Sequence, residues 1–422
     1  MESITSAEYR VSGASSFGNQ PTLRSDPVRL HQLDGLRGVA MLFVFFSHFS
    51  LLWLYIVQPN STIGFFLRLV DADAAMGTNF FMLLSGFFSY GTLLKRKKSF
   101  GSFLRGRAAR LYPLYLVMSA GYIAGSLLIP HMSKLPANPA DAAVFLLQTL
   151  LFMPGVLHIR PLMDVAWTMS FIVMFYFIEG AITWVFRKLA ISRRTRFTIL
   201  VILAAAWAFT GDMTGWWAPR TDIFWVGMAL WEAVDGMRAP HRLRWVVETV
   251  PPALLVTLIG MGLRTELMMA RPDTHGISVL LLRAFITSCT LFAFVWVAHF
   301  GPVWWKRLLS GKLLRSLGEC SYSFYLSHGF TVKAFHFLVI PALGASAKNP
   351  LVFWLCQGVG LVASVVCARI VFRTMEQPMS MALAGMKFPA GSFAWLRSDA
   401  SVRFEENSLR HQSVGSRSIQ IQ

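Results

Sequence analysis

Charge is what this sequence has least of: only 14% of its 422 residues are Asp, Glu, Lys or Arg. An ordinary soluble domain carries roughly 25%. The deficit excludes a disordered chain and a coiled coil, and it argues against a soluble enzyme of two average domains. Cysteine is scarce as well. The four present, Cys289, Cys320, Cys356 and Cys367, all lie in apolar runs without metal-ligand spacing, which excludes a disulfide scaffold and a zinc cluster. The polar first 34 residues lack an apolar run, so no cleaved signal peptide is expected. No P-loop is visible. Nor is an internal repeat, which weakens a transporter built from duplicated halves.

Apolar bulk replaces the missing charge. Hydrophobic residues make up 55% of the chain, including 35 Phe, 20 Met and 14 Trp. Long apolar runs recur, as in Val39–Val57, Ile277–Val297 and Leu351–Phe372. A helix of about 20 such residues crosses a hydrocarbon core of about 30 Å. The expected class is therefore an all-α integral membrane protein. Bases outnumber acids by 39 to 21, a net charge of +18. They sit between the apolar runs, so they read as topology signals and lipid-headgroup contacts rather than as a nucleic-acid surface.

Eleven candidate spans follow, at 35–57, 74–94, 108–130, 140–157, 164–186, 196–213, 221–237, 244–263, 277–299, 317–343 and 349–373. The segment 95–110, KRKKSFGSFLRGRAAR, holds seven bases and no acid, which places it and the N-terminus in the cytoplasm. If all eleven candidates crossed, the basic segment 187–196 would face outward. A re-entrant 140–157 removes the conflict; it is the weakest candidate, with Asp141, Gln148 and a Pro154-Gly155 break. The expectation is a bundle of about ten transmembrane helices with both termini cytoplasmic. A polar segment 1–34 precedes the membrane domain 35–376, and a polar, disordered tail 377–422 follows it. Nineteen bases then fall in the cytoplasmic segments 95–110, 187–196, 238–244 and 306–315. The outer segments are far poorer, with Arg68, Lys134, Arg220, Arg264, Arg271 and Lys348.

Ionisable residues inside apolar spans are costly unless paired or wetted, so they mark candidate sites. The first span, LDGLRGVAMLFVFFSHF, carries Asp34, Arg37 and His48. Arg37 and His48 are eleven positions apart, which puts them on one helix face about 16 Å apart along the axis. Arg37 then sits at the cytoplasmic surface and His48 near mid-membrane. A snorkelling Arg and a hydrogen-bonded core His would satisfy the same pattern. A second histidine lies in LGECSYSFYLSHGF, where Ser321, Tyr325 and His328 share a face at i, i+4 and i+7. Two histidines at matched depth suggest a polar cavity for proton transfer, with Tyr325 or Ser321 fixing a tautomer. Arg107 and Arg110 could grip a phosphate with paired donors, or serve as lipid and topology contacts. The small residues of GTNFFMLLSGFFSYG fit close helix packing.

These blocks resemble, in order from about Leu33 to Pro378, the membrane acyltransferase-3 family, which O-acylates sugars. LDGLRGVAMLFVFFSH is similar to the family's Arg-x10-His signature, on Arg37 and His48. RAARLYP matches its Arg-x-x-Arg block, on Arg107, Arg110, Tyr112 and Pro113. AWTMSFIVMFY resembles its fifth-span block, with Trp167, Ser170, Phe175 and Tyr176 retained. RTDIFWVGM, LGECSYSFYLSH and VFRTMEQPM are similar to later blocks, ending in Glu376 and Pro378. Two positions depart: Asn79 replaces the family's second-span Asp and Ile172 its fifth-span Glu.

The resemblance implies a cytosolic acyl-CoA donor, usually acetyl-CoA, and a carbohydrate or glycolipid acceptor reached from the far side of a bacterial inner membrane. No permanently bound cofactor or metal is implied. His48 is then the expected general base, with an acyl-histidine as the alternative. Arg37 would hold the donor or stabilise the oxyanion, Arg107 and Arg110 would bind CoA phosphates, and His328 with Tyr325 would line the cavity or relay the proton. Asp34, Asn79, Trp167 and Ser170 are expected around the substrate cavity. A transporter or flippase of a sugar-linked solute, and an inactive family member lacking the carboxylates at 79 and 172, remain as rival readings.

Overall fold

The computed structural model describes residues 31–383, apart from 55, 58–60, 62, 66, 69, 71–75, 96–98, 129–132, 158, 215–220, 236–247, 259 and 261–276. The basic segment 238–244, Arg220, Arg264, Arg271, most of 1–34 and the tail beyond 383 therefore lie outside the described residues. Every regular element among the described residues is helical.

The chain runs through α1 (His31–Leu54), α2 (Met76–Lys95), α3 (Phe100–Leu128), α4 (Pro139–Leu150), α5 (Trp167–Lys188), α6 (Arg193–Thr214) and α7 (Ile223–Asp235). It continues through α8 (Glu248–Leu258), α9 (Ile277–Phe300), α10 (Val303–Leu309), α11 (Lys312–Glu319), α12 (Ser321–Ala334) and α13 (Pro350–Val371), and ends in α14 (Gln377–Leu383). Local chemistry sets several boundaries. Asn138 and Asn349 each cap a helix whose first residue is proline, accepting from Ala140 N at 3.0 Å and Leu351 N at 2.9 Å. One π turn carries α12 onward and another joins α13 to α14.

Among the described residues, five helical stretches are long and apolar enough to cross a membrane: Gln32–Leu54, Phe100–Leu128, Asp164–Lys188, Ser321–Lys348 and Pro350–Leu383. A sixth counts if the pair Ala284–Phe300 and Val303–Leu309, bent by 103°, is one span. The protein is thus an all-helical, multi-pass membrane protein. The count of about ten is not reached on this criterion. Helix α2 is diluted by Thr78, Asn79, Ser85 and Ser89, and α6 opens on Arg193, Arg194 and Arg196. The expected span 221–237 is a buried helix of 13 residues, about 20 Å long, and 244–263 is described only as Glu248–Leu258. Helix α3 starts at Phe100, so the Arg105–Arg110 half of the basic segment is its first turns rather than a loop.

The core is aromatic and close-packed. Helices α2 and α7 approach backbone to backbone where Gly86 faces the Phe224 carbonyl and Gly227 faces Leu83; a Cβ on either would overlap an oxygen. Phe175 of α5 stacks on Phe224 with centroids 4.2 Å apart. The segment containing α4 has a distinct path. Its 12-residue helix spans about 18 Å and ends beside mid-α3, where Tyr115 donates to Thr149 O at 2.9 Å and Tyr112 to Leu150 O at 2.7 Å. The following turn packs on α5, with Gly155 N donating to Ser170 Oγ at 3.1 Å. Its two feet then meet: Lys134 forms an ion pair with Asp164 and donates to Pro161 O at 3.4 Å.

Candidate functional site

Helices α1, α2, α3, α5 and α12 enclose a cavity of about 120 Å³. Arg37, Arg107 and Arg110 line it together with Ser85 and Phe88 of α2, Ile172 and Tyr176 of α5, and Tyr322 and Tyr325 of α12. Arg37 Nη1 lies 3.8 Å from Asp34 Oδ1, and its guanidinium carbon sits 4.7 Å from the Phe88 ring centre. Arg107 lies 5.1 Å from the Phe103 ring and 5.4 Å from the Tyr176 ring. Stacking on a ring fixes the plane of a guanidinium and leaves its edge donors for an anion. Three cations from two helices thus converge on one small, largely apolar space. Tyr322 ties its walls together by donating to Leu111 O of α3 at 2.6 Å.

Tyr325 closes the other side. Its hydroxyl donates to Val165 O at 2.9 Å and lies 2.7 Å from Thr168 Oγ1, so both functions of the phenol are fixed. Behind it stand the histidines. The His328 ring lies 6.1 Å from the Tyr325 ring and 5.0 Å from the His48 ring, which it meets at 71°. His328 is fully buried and His48 partly so. Each imidazole places Nδ1 against the carbonyl one turn earlier, His48 on Val44 O at 2.9 Å and His328 on Phe324 O at 3.0 Å. A carbonyl can only accept, so each neutral ring carries its hydrogen on Nδ1 and its lone pair on Nε2. The buried Nε2 of His328 has no partner among the described residues.

The remaining expected residues divide. Asp34 serves the site indirectly, as the partner of Arg37. Asn79 is buried, with no partner for Oδ1 among the described residues, and its neighbour Thr78 lines the cavity instead. Trp167 and Ser170 also lie outside the lining, which takes Thr168, Met169 and Ile172 from α5. The reason is packing: the turn around Gly155 occupies the Ser170 face, and a Cβ there would overlap the Trp167 carbonyl. These two residues seat the α4 segment.

Three buried glutamates lie in the surrounding helices. Glu376 accepts from Ser323 N at 3.1 Å and from Ser323 Oγ at 2.5 Å, joining the last π turn to α12. Glu232 takes Arg196 Nε at 2.5 Å and Nη2 at 3.0 Å, and Tyr90 donates to it as well. Glu179 is fully buried, with neither carboxylate oxygen bonded among the described residues. Glu179 and Glu232 were missed by the sequence reading, although the cost of an acid in an apolar run marks them as it marks His48.

Fold and site define a membrane-embedded helical protein with an arginine-lined cavity next to a pair of imidazoles. The chain belongs to the acyltransferase-3 family, whose acyltransferase-domain model matches residues 30–369. It is an acyltransferase. It is also 32% identical over 145 residues to "Protein 2 in picA locus" of Rhizobium radiobacter, covering 31% of this chain and 68% of that protein. No solved structure matches it.

Proposed function

We propose that this enzyme moves an acyl group, acetyl in the simplest case, from cytosolic acyl-CoA to a hydroxyl of an exported or cell-surface carbohydrate. The observation that carries the reading is the convergence of Arg37, Arg107 and Arg110 on a cavity one side chain removed from the His328–His48 pair. Phosphates of the donor sit on Arg107 and Arg110, and the pantetheine arm runs along the Ile172–Tyr325 wall. His48 Nε2 takes the proton of the acceptor hydroxyl, whose oxygen attacks the thioester carbonyl. Arg37, about 16 Å from His48 along α1, holds the donor at the arginine end of the cavity rather than the reacting carbonyl. Collapse of the tetrahedral intermediate breaks the carbon–sulfur bond, and the departing thiolate recovers the proton from the His48 imidazolium, so atoms and charge balance. His328, against both Tyr325 and His48, holds the relay geometry.

In the proposed topology about ten helices cross a bacterial inner membrane, both termini are cytoplasmic, and 140–157 is re-entrant. The polar ends 1–34 and 377–422 flank the membrane domain 35–376, with the helices at both borders running on, α1 from His31 and α14 to Leu383. The joined feet of the α4 segment at Lys134 and Asp164 support that path, since a crossing segment would end on opposite sides. The reading is tested by glycan mass spectrometry of a deletion strain complemented with wild type or His48→Ala, alongside CoA release by purified protein. An O-acyl group restored by wild type and not by the variant supports it. A glycan that never changes, with no CoA released, would favour solute transport instead.

A further inference from the structure

Helices α10 and α11 are short elements between α9 and α12. Helix α9 and α10 meet at 103°, so α10 runs across the bundle rather than along it. Its inner side is anchored, with Leu309 buried and Trp305 edge-on to Phe294 at 5.8 Å. The outer side exposes Val303, Trp304 and Leu308, and α11 adds Leu313, 70% exposed. Exposed Arg307 and Lys312 are interleaved with them. Trp and Leu beside Arg and Lys, on a helix turned across the bundle, is the composition of a segment seated at headgroup depth.

The same pair is pressed onto the turn of α1 that carries the site's first arginine. A Cβ on Gly35 would overlap the Leu309 carbonyl oxygen. One on Gly38 would come within 3.1 Å of the Leu314 carbonyl carbon, and one on Gly318 would overlap the Asp34 carbonyl oxygen. Backbone therefore touches backbone on both sides of the Asp34–Arg37 pair. Close-packed contacts of this kind transmit displacement, because no soft side chain lies between the two backbones to absorb it.

We propose that α10 and α11 form an interfacial strap that binds anionic phospholipid headgroups and so fixes the turn of α1 bearing Asp34 and Arg37. Arg307 and Lys312 take the headgroup phosphates, while Trp304 and Leu313 rest against the acyl chains. That Arg37 serves the donor rests on the acyltransferase reading above; the mechanical link does not.

The test is amide hydrogen exchange on the full chain in nanodiscs of phosphatidylcholine, with and without phosphatidylglycerol. Phosphatidylglycerol should slow exchange in 303–315 and in 33–38 together, by about thirty-fold if both headgroup contacts form. Arg307→Gln/Lys312→Gln should abolish the slowing in both segments and leave exchange in Pro139–Leu150 unchanged. Both substitutions are at exposed positions, so the fold should survive them. Slowing confined to 303–315 would overturn the link to Arg37. No slowing, slowing that persists in the double variant, or slowing spread over the whole chain would overturn the headgroup contact. Exchange needs neither donor nor acceptor, so its result is separate from the fate of the reaction assigned above.

Discussion

His48 and His328 meet edge to face with ring centroids 5.0 Å apart, although one stands on the first helix and the other on α12. Both rings spend Nδ1 on the carbonyl of the preceding turn, so the reactive nitrogen of each is Nε2. If His48 is the general base, His48→Ala should fold and bind acyl-CoA, yet turn over about 10²–10⁴ times more slowly. His48→Gln keeps a polar side chain but cannot take a proton, so it should be nearly as slow. His328→Gln should lose less. Acyl transfer by purified variants, with donor binding measured separately, decides it; a His48→Gln enzyme with most of its turnover would sink the assignment.

Arg107 and Arg110 should govern donor affinity rather than the chemical step. Replacing either with alanine removes a charge-assisted bond to phosphate, at about 1.5–3 kcal/mol or roughly ten- to a hundred-fold in affinity. Discrimination between acyl-CoA and acyl-pantetheine should fall with it. Arg107 is already held by Phe103 and Tyr176, so lysine should not rescue: a point charge cannot keep the stacked plane. Equal weakening toward both thioesters would assign the arginines to folding or lipid contact.

The part of this architecture legible in the sequence was the part encoded by period and cost. Arg37 and His48 share a helix, so their common face follows from spacing alone, and the apolar runs announce the class. What escaped depends on contacts between distant segments. That Thr168 rather than Ser170 faces the cavity is decided by the Gly155 turn, fifteen residues upstream of Ser170, lying on the Ser170 face. The shortness of α7 was hidden because a buried helix is as apolar as a crossing one. Glu232 was legible in kind, as an acid among apolar neighbours, but its partners Tyr90 and Arg196 come from two other helices.

That triad yields a stability prediction. Glu232 is wholly buried; Arg196 and Tyr90 satisfy its carboxylate, and its backbone carbonyl accepts from Arg193 Nε at 2.6 Å. Glu232→Ala strands Arg196 and the Tyr90 hydroxyl, a loss of about 3–5 kcal/mol for a broken buried pair. Thermal unfolding in detergent should show a clear drop in Tm, larger for alanine than for glutamine. The KM for acyl-CoA of the folded fraction should stay near wild type, since none of the three lines the cavity. A changed KM with unchanged Tm would place the triad in the donor site.

The path of the α4 segment gives the last prediction. Helix α4 covers only about half of a hydrocarbon core, and the Lys134–Asp164 pair brings its two feet to one end of the bundle. The Phe100 ring lies against Gly180 and 5.9 Å from Phe177, so the start of α3 and the end of α5 share the opposite end. Single cysteines at Asn138 and Arg160 should therefore react with an impermeant maleimide from one side of sealed vesicles. Cysteines at Ser99 and Ser192 should react only from the other. The parent protein, whose Cys289, Cys320, Cys356 and Cys367 are buried or partly buried, supplies the background. Labelling of Asn138→Cys and Arg160→Cys from opposite sides would mean that the segment crosses. The basic ends of α3 and α5 would then face different compartments, against the charge asymmetry of the chain.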